Sequence, residues 1–180
     1  MKAFIHRGLG PLFAVIALSG CAVPAAMQAA RNDAAAGPPK VMLWVGNSFF
    51  YYNNSMHGHV SQLVSGDKSI THRGVSVTIS GSGIDWHDME SYLGPDRIGK
   101  YSFMPGNKIR FNPPGKQFDA VMFMDCSQCP IHPDLKPVFH EFAKKHADTI
   151  RAHEARPILF MSWAYKDKPE MTAQLAKQYT

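Results

Sequence analysis

The sequence predicts an α/β domain, a three-layer sandwich whose central sheet is mostly parallel and has helices on both faces. Four short apolar runs alternate with segments of helical periodicity, which is the order that parallel βαβ units require. The chain has 180 residues, 45% of them hydrophobic, and this is enough for one domain with a substantial core. The order of elements favours a flavodoxin-like layout.

Each predicted strand is a run rich in apolar and β-branched residues, and the four runs are 41–45, 75–79, 118–124 and 157–161. Helices are predicted where apolar residues recur three and four positions apart, over 55–64, 84–93, 134–153 and 170–179. The segment 94–117 contains several glycines and prolines, so it is predicted to be a long surface loop with a small hairpin.

The N-terminal segment is predicted to direct export. Lys2 and Arg7 precede an apolar stretch, residues 9–18, that is too short to span a bilayer. The stretch ends in Leu18-Ser19-Gly20-Cys21, which resembles a bacterial lipobox. This resemblance implies a lipoprotein-type signal peptide over 1–21, with Cys21 as the lipid-bearing residue that anchors the protein to the membrane.

The rest of the chain is predicted to be a tether followed by the domain. Residues 22–40 are rich in Ala, Pro and Gly and form the flexible tether, and the domain covers 41–180. The alternative to the lipid anchor is an ordinary secretory signal cut near 26–29, which would release a soluble protein. Either way we predict an exported protein, held at the cell envelope (periplasm or outer membrane) or secreted.

The charge distribution argues against a nucleic-acid-binding protein, and the cysteine content argues against a small disulfide-rich protein. Lys and Arg number 19 and Asp and Glu 14, which gives a net charge of +5, but no basic run is longer than Lys144-Lys145. Scattered cations do not predict a nucleic-acid partner. Three cysteines are too few for a small disulfide framework.

Ser48 is the candidate nucleophile because it follows a predicted buried strand directly, in Gly46-Asn47-Ser48. A serine there can present its hydroxyl at the start of the next helix, where unpaired backbone N–H groups can stabilise an oxyanion. A purely structural role is also open, since Asn47 or Ser48 can cap that helix. The carboxyl ends of parallel strands share one rim of the sheet, so the turns 46–50, 80–87, 125–130 and 162–165 are expected to lie together.

Four segments in order resemble the SGNH/GDSL hydrolase superfamily, in the branch that has Gly-Asn-Ser-Phe in place of Gly-Asp-Ser. They are 44–53 around Ser48, 80–87 with its Gly-rich turn ending in His87, 119–130 with an Asp-led strand and a Ser-x-x-Pro turn, and 157–164 with its Trp-Ala. The resemblance spans 41–180. It implies an extracytoplasmic ester hydrolase, of the esterase, lipase or deacetylase type, that forms an acyl-enzyme on Ser48 without a metal or organic cofactor.

The same resemblance implies an oxyanion hole built from three donors. They are the N–H of Ser48, the N–H of a glycine in the second segment, and a polar side chain in the third. Gly81 matches the glycine better than Gly83 does. The side chain is an Asn in the wider family, and here the nearest polar residues are Ser127 and Gln128. Further candidates for lining the site are Asn47, His87 and Trp163.

The family's general base and its carboxylate come from an Asp-x-x-His motif beyond a fifth strand, and nothing after Met161 matches that motif. The resemblance therefore implies a chain that is incomplete at its C-terminus, lacks the last strand, and is nearly inactive as given, because a serine without a base is a weak nucleophile. The alternative is a non-catalytic relic or binding protein on the same scaffold. The substrate expected is a small-molecule, carbohydrate or lipid ester, and the sequence does not specify which.

Two other functions have weaker support. Cys126 and Cys129 follow a buried strand as a thioredoxin-like pair would, but the adjacent prolines predict a loop, so a local disulfide or two free thiols is favoured. Metal ligands can be sought in two sets of residues, His57, His59 and His87, or Cys126, Cys129 and His132. Neither set supplies two spaced pairs, and no metal site is predicted.

Overall fold

The computed structural model describes residues 37–94 and 101–180. Its strands are β1 (Val41–Gly46), β2 (Arg73–Thr78), β3 (Tyr101–Met104), β4 (Lys108–Phe111), β5 (Ala120–Phe123) and β6 (Arg156–Leu159). Its helices are α1 (Ser48–Tyr51), α2 (Met56–Ser65), α3 (Met89–Leu93), α4 (Lys136–Ala152) and α5 (Met171–Tyr179). Two short 3-10 helices cover Ile84–Trp86 and Cys129–Ile131.

Four strands form one sheet in the order β2-β1-β5-β6, and every neighbouring pair is parallel. The predicted parallel sheet is therefore confirmed for the described residues. Strand β1 lies inside the sheet, where Leu43 pairs with Val75 of β2 on one side and with Val121 of β5 on the other. Strands β3 and β4 form a separate antiparallel hairpin, as predicted within 94–117.

Helices cover both faces of the sheet because the strands present apolar side chains on both. On one face, Leu43 and Val45 pack with residues of α3 and α4 such as Leu93 and Phe139. On the other face, Trp44 packs with Phe50 of α1, and Met56 and Val60 of α2 border the same cluster. This three-layer arrangement is compatible with a flavodoxin-like layout.

The helix predicted over 84–93 is broken in two. Residues Ile84–Trp86 form a 3-10 turn, His87 is extended, and α3 begins only after Asp88. The Asp88 carboxylate accepts a hydrogen bond from the N–H of Ser91 at 3.2 Å, so it caps α3 as a new helix.

None of the helices in the described ranges is long and apolar enough to cross a membrane. The predicted signal peptide, Cys21 and tether residues 22–36 lie outside the described residues.

Candidate functional site at the carboxyl ends of the strands

Asn47 connects the turns that follow three strands of the sheet. Its side-chain amide donates to the carbonyl oxygen of Ser82 at 2.9 Å and to that of Asp125 at 3.4 Å. Its side-chain oxygen accepts from the N–H of Phe49 at 3.2 Å. The side chain is buried and satisfied on both its donor and its acceptor side. The turns after β1, β2 and β5 therefore meet at one rim, as the parallel sheet requires.

Ser48 is the first residue of α1 and is half-buried at this rim. Asn47 accepts from the two backbone N–H groups that follow Ser48. The N–H of Phe49 donates to the Asn47 side-chain oxygen, and the N–H of Phe50 donates to the Asn47 carbonyl oxygen at 3.0 Å. The N–H of Ser48 is not one of the groups that Asn47 satisfies. The turn thus presents the Ser48 hydroxyl and, beside it, the Ser48 N–H, which is one of the predicted oxyanion donors.

Gly46 allows α1 to approach the sheet closely. A Cβ atom added at this position would lie 2.6 Å from Cγ of Met124 and 3.0 Å from Cδ2 of Phe50. Both neighbours are fully buried, so neither can move aside without disturbing the core. A glycine at the end of β1 is therefore what lets the chain turn directly into the Asn47-Ser48 segment.

The two candidate oxyanion glycines differ in their surroundings. Gly81 is exposed at φ +70°, and a Cβ there would meet nothing within 4 Å. Gly83 lies deeper, where a Cβ would be 2.7 Å from Oδ1 of Asp85 and 3.4 Å from Oδ1 of Asp125. Ser82, between them, is buried, and its hydroxyl donates to the carbonyl oxygen of Gly46 at 3.4 Å.

Asp125 is a buried acid that the sequence reasoning did not single out. One carboxylate oxygen accepts from the N–H of Ile84 at 2.9 Å and from the N–H of Cys126 at 2.7 Å. Burial raises the pKa of this carboxyl, and the two backbone hydrogen bonds act in the opposite direction. The available signal was an acid placed directly after an apolar strand. Asp125 fastens the turn after β2 to the turn after β5.

His87 belongs to a buried hydrogen-bonded chain. Its Nε2 is 3.1 Å from the hydroxyl of Ser82, and its Nδ1 is 3.2 Å from the hydroxyl of Tyr92. Burial, with a smaller effect from His146, lowers the pKa of His87 to about 4, so the ring is neutral at pH 7. Both ring nitrogens are engaged, and the side chain links the turn after β2 to α3.

The turn after β5 holds the remaining candidates. The hydroxyls of Ser127 and Tyr165 are hydrogen-bonded to each other, and the Ser127 carbonyl oxygen accepts from the Ser162 hydroxyl at 3.1 Å. Gln128 is exposed next to them. Tyr165 was not predicted as a site residue. Since it follows β6, it brings the fourth turn to the same rim.

Trp163 packs against the turn that follows β1. Its ring meets that of Phe49 edge-on, with centroids 4.8 Å apart, and the Trp163 side chain is 55% exposed. Since Phe49 directly follows Ser48, the two rings form an aromatic surface beside the candidate nucleophile.

Cys126 and Cys129 form a disulfide with a Cα–Cα distance of 5.3 Å. Of the two alternatives left open by the sequence, a local disulfide or two free thiols, the structure has the disulfide. The sulfurs and a carboxylate oxygen of Asp125 lie within 4.8 Å of one another, which is the spacing of a metal-binding group. Bonded to each other, the two sulfurs cannot act as thiolate ligands, so the oxidised protein offers only the carboxylate there.

Comparison with family models, with curated proteins and with solved structures finds no match to this chain. The function must therefore be argued from the residues at this rim.

Proposed function

We propose that the protein is an exported serine ester hydrolase of flavodoxin-like fold that uses Ser48 as its acyl nucleophile. The observation that carries this proposal is the position of Ser48, which is half-buried where β1 ends, next to turns that Asn47 binds together. Further support comes from the four sequence segments that resemble the SGNH/GDSL hydrolases, since each includes a turn that follows a strand of the sheet at its carboxyl end.

In the proposed reaction, the Ser48 Oγ attacks the carbonyl carbon of an ester. The negative charge that forms on the carbonyl oxygen is stabilised by the N–H of Ser48, by that of Gly83 or Gly81, and by the Ser127 hydroxyl. The C–O bond to the alcohol then breaks, the serine proton passes to the leaving oxygen, and the acyl group stays on Ser48. Water hydrolyses this acyl-enzyme and restores the serine.

The resemblance would supply the general base from an Asp-x-x-His motif, and 37–94 and 101–180 contain no such motif. Within 37–94 and 101–180, no side chain is hydrogen-bonded to the Ser48 hydroxyl, and the two nitrogens of His87 bind Ser82 and Tyr92. A serine in this state attacks slowly. The same observation favours a second candidate, a binding protein that keeps the scaffold but performs no hydrolysis.

The test is hydrolysis of p-nitrophenyl acetate by the full gene product, including any residues encoded after Thr180. We expect Ser48→Ala to lower kcat/KM at least 1,000-fold. The exposed Ser65, at the end of α2, supplies the matched control Ser65→Ala, which should keep the full rate. A fluorophosphonate probe should label Ser48, as located by mass spectrometry.

Equal rates for the protein and its Ser48→Ala variant would remove Ser48 from the mechanism. A folded full gene product that neither hydrolyses the ester nor reacts with the probe would favour the binding protein instead.

A further inference from the structure

The hairpin formed by β3 and β4 exposes an unbroken apolar face. Register pairs Tyr101 with Phe111 and Phe103 with Ile109, so all four side chains project from one side. The rings of Tyr101 and Phe103 are in contact there, with centroids 5.6 Å apart. Phe103 is 79% exposed and Phe111 70% exposed. We call these four residues the aromatic face. An apolar cluster of this kind on a two-stranded hairpin indicates a contact surface.

The other side of the hairpin carries positive charge. Lys108 and Arg110 alternate with the apolar residues of β4, so they project from the side opposite the aromatic face. The sequence from 97 to 118 contains five Lys or Arg residues and no Asp or Glu. An apolar face on one side of the hairpin with cations on the other complements a membrane surface, where hydrocarbon lies beneath anionic headgroups.

The chain runs from the hairpin into the amino-end rim of the sheet, opposite the rim that holds Ser48. Lys116, which follows the end of β4 by five residues, lines a cavity together with Lys40, which directly precedes β1. The N–H of Arg73, the first residue of β2, donates to the carbonyl oxygen of Lys40 at 2.7 Å. The hairpin therefore leads into the same rim where the described chain begins, at residue 37.

The rest of this rim is also basic. A cavity of about 230 Å³ lies beside the entry of the chain, and its ionisable lining residues are Lys40, Lys116, Asp119 and Arg156. Three of these four groups are cations, and Asp119 pairs with Lys116 at 3.3 Å. The cavity is large enough for a phosphate headgroup and carries the charge that such a group requires.

We propose that the aromatic face, together with the basic amino-end rim, docks on a bilayer of anionic phospholipid. The described chain begins on this side, so an N-terminal anchor on a flexible tether would keep this side within reach of the membrane. The Ser48 rim would then point away from the bilayer. This inference does not depend on Ser48 being catalytic.

The test attaches an environment-sensitive fluorophore (NBD) to the full chain in a Cys21→Ser background, which removes the lipidation site and a competing thiol. Phe103→Cys reports on the aromatic face. Leu63→Cys, which is 81% exposed on α2, is the matched control. On addition of phosphatidylglycerol vesicles, we expect a blue shift and quenching by brominated lipid at residue 103 and neither at residue 63. Phe111→Cys repeats the measurement at a second position.

Two further variants separate the contributions. Lys108→Glu with Arg110→Glu should weaken the vesicle response of the label at residue 103 at least tenfold. Phosphatidylcholine vesicles should give little response. Absence of a shift at both 103 and 111, equal shifts at 103 and 63, or equal responses to the two lipids would overturn the proposal. A shift without vesicles that grows with protein concentration would also overturn it, because a second copy would then cover the face.

Discussion

The side-chain nitrogen of Asn47 lies 2.9 Å from the carbonyl oxygen of Ser82, and this hydrogen bond fastens the end of β1 to the turn after β2. The same nitrogen reaches the carbonyl oxygen of Asp125, while the side-chain oxygen accepts from Phe49. Only an amide donates and accepts in this way, because an ionised carboxylate can only accept. The geometry thus gives a physical reason for Asn rather than Asp before Ser48.

Replacement of Asn47 should destabilise the domain. Asn47→Ala leaves the carbonyl oxygens of Ser82 and Asp125 without their donor, at a cost of about 1–3 kcal/mol in the free energy of unfolding. Asn47→Asp should cost more at pH 7, since it turns a buried negative charge toward those oxygens. Urea denaturation measures both. Asn54→Asp, at an exposed position, is the control, and an Asn47→Asp protein as stable as this control would contradict the role given to the amide.

Gly46→Ala should also destabilise the domain, by about 1–3 kcal/mol. The added methyl group would overlap Met124 and Phe50, which are both fully buried and cannot shift cheaply. Thermal or urea unfolding followed by circular dichroism is the measurement. Ser76→Ala changes an exposed position of neighbouring β2 and should leave stability nearly unchanged. If Gly46→Ala and Ser76→Ala unfold at the same urea concentration, the close approach of Met124 and Phe50 to Gly46 does not affect stability.

Most of the fold could be predicted because each buried strand is a local pattern. The run 41–45 predicted β1, which ends one residue later, at Gly46. The apolar stripe over 134–153 predicted α4, which covers Lys136–Ala152. The break at His87 was missed because the apolar spacing continues through it, and only the capping carboxylate of Asp88 divides the segment.

The connections within the site could not be read from local pattern. Asn47 and Asp125 are 78 residues apart, and their hydrogen bond exists because β5 pairs directly with β1. The contact between Ser127 and Tyr165 likewise depends on β6 lying next to β5. Strand order is a property of the whole sheet. The sequence could therefore predict which turns form the site, but not which residues of different turns are hydrogen-bonded to each other.

The Cys126–Cys129 disulfide should contribute modestly to stability. It closes a very short loop, and the loss of chain entropy for a loop of this size corresponds to about 2 kcal/mol. The double variant Cys126→Ser/Cys129→Ser should therefore have a free energy of unfolding lower by about 2 kcal/mol, seen as a lower urea midpoint. Dithiothreitol should destabilise the unaltered protein and have no effect on the double variant, which serves as the control. A reductant effect of equal size on both proteins would show that the bond does not stabilise the fold.

Stability should fall as the pH decreases from about 6.5 to about 4, and His87 should account for much of the change. Burial lowers the pKa of His87 from 6.5 to about 4, so the folded protein holds the ring neutral while the unfolded chain takes up a proton. Below pH 6.5 protonation therefore favours the unfolded state. The full effect of a shift of this size is about 3 kcal/mol, and most of it is reached by pH 4.5.

Comparison with His87→Gln isolates this contribution, because Asp125 and His146 titrate in the same protein. Burial raises the pKa of Asp125, so the folded state retains that proton and acidification acts in the stabilising direction there. Burial lowers the pKa of His146, which acts in the same direction as His87. The glutamine side chain does not titrate, so urea midpoints at pH 7.5, 5.5 and 4.5 should decline less in this variant. The exposed His59 gives the control His59→Gln, which should follow the unaltered protein. Parallel declines for His87→Gln and the unaltered protein would show that His87 is not held neutral by the fold.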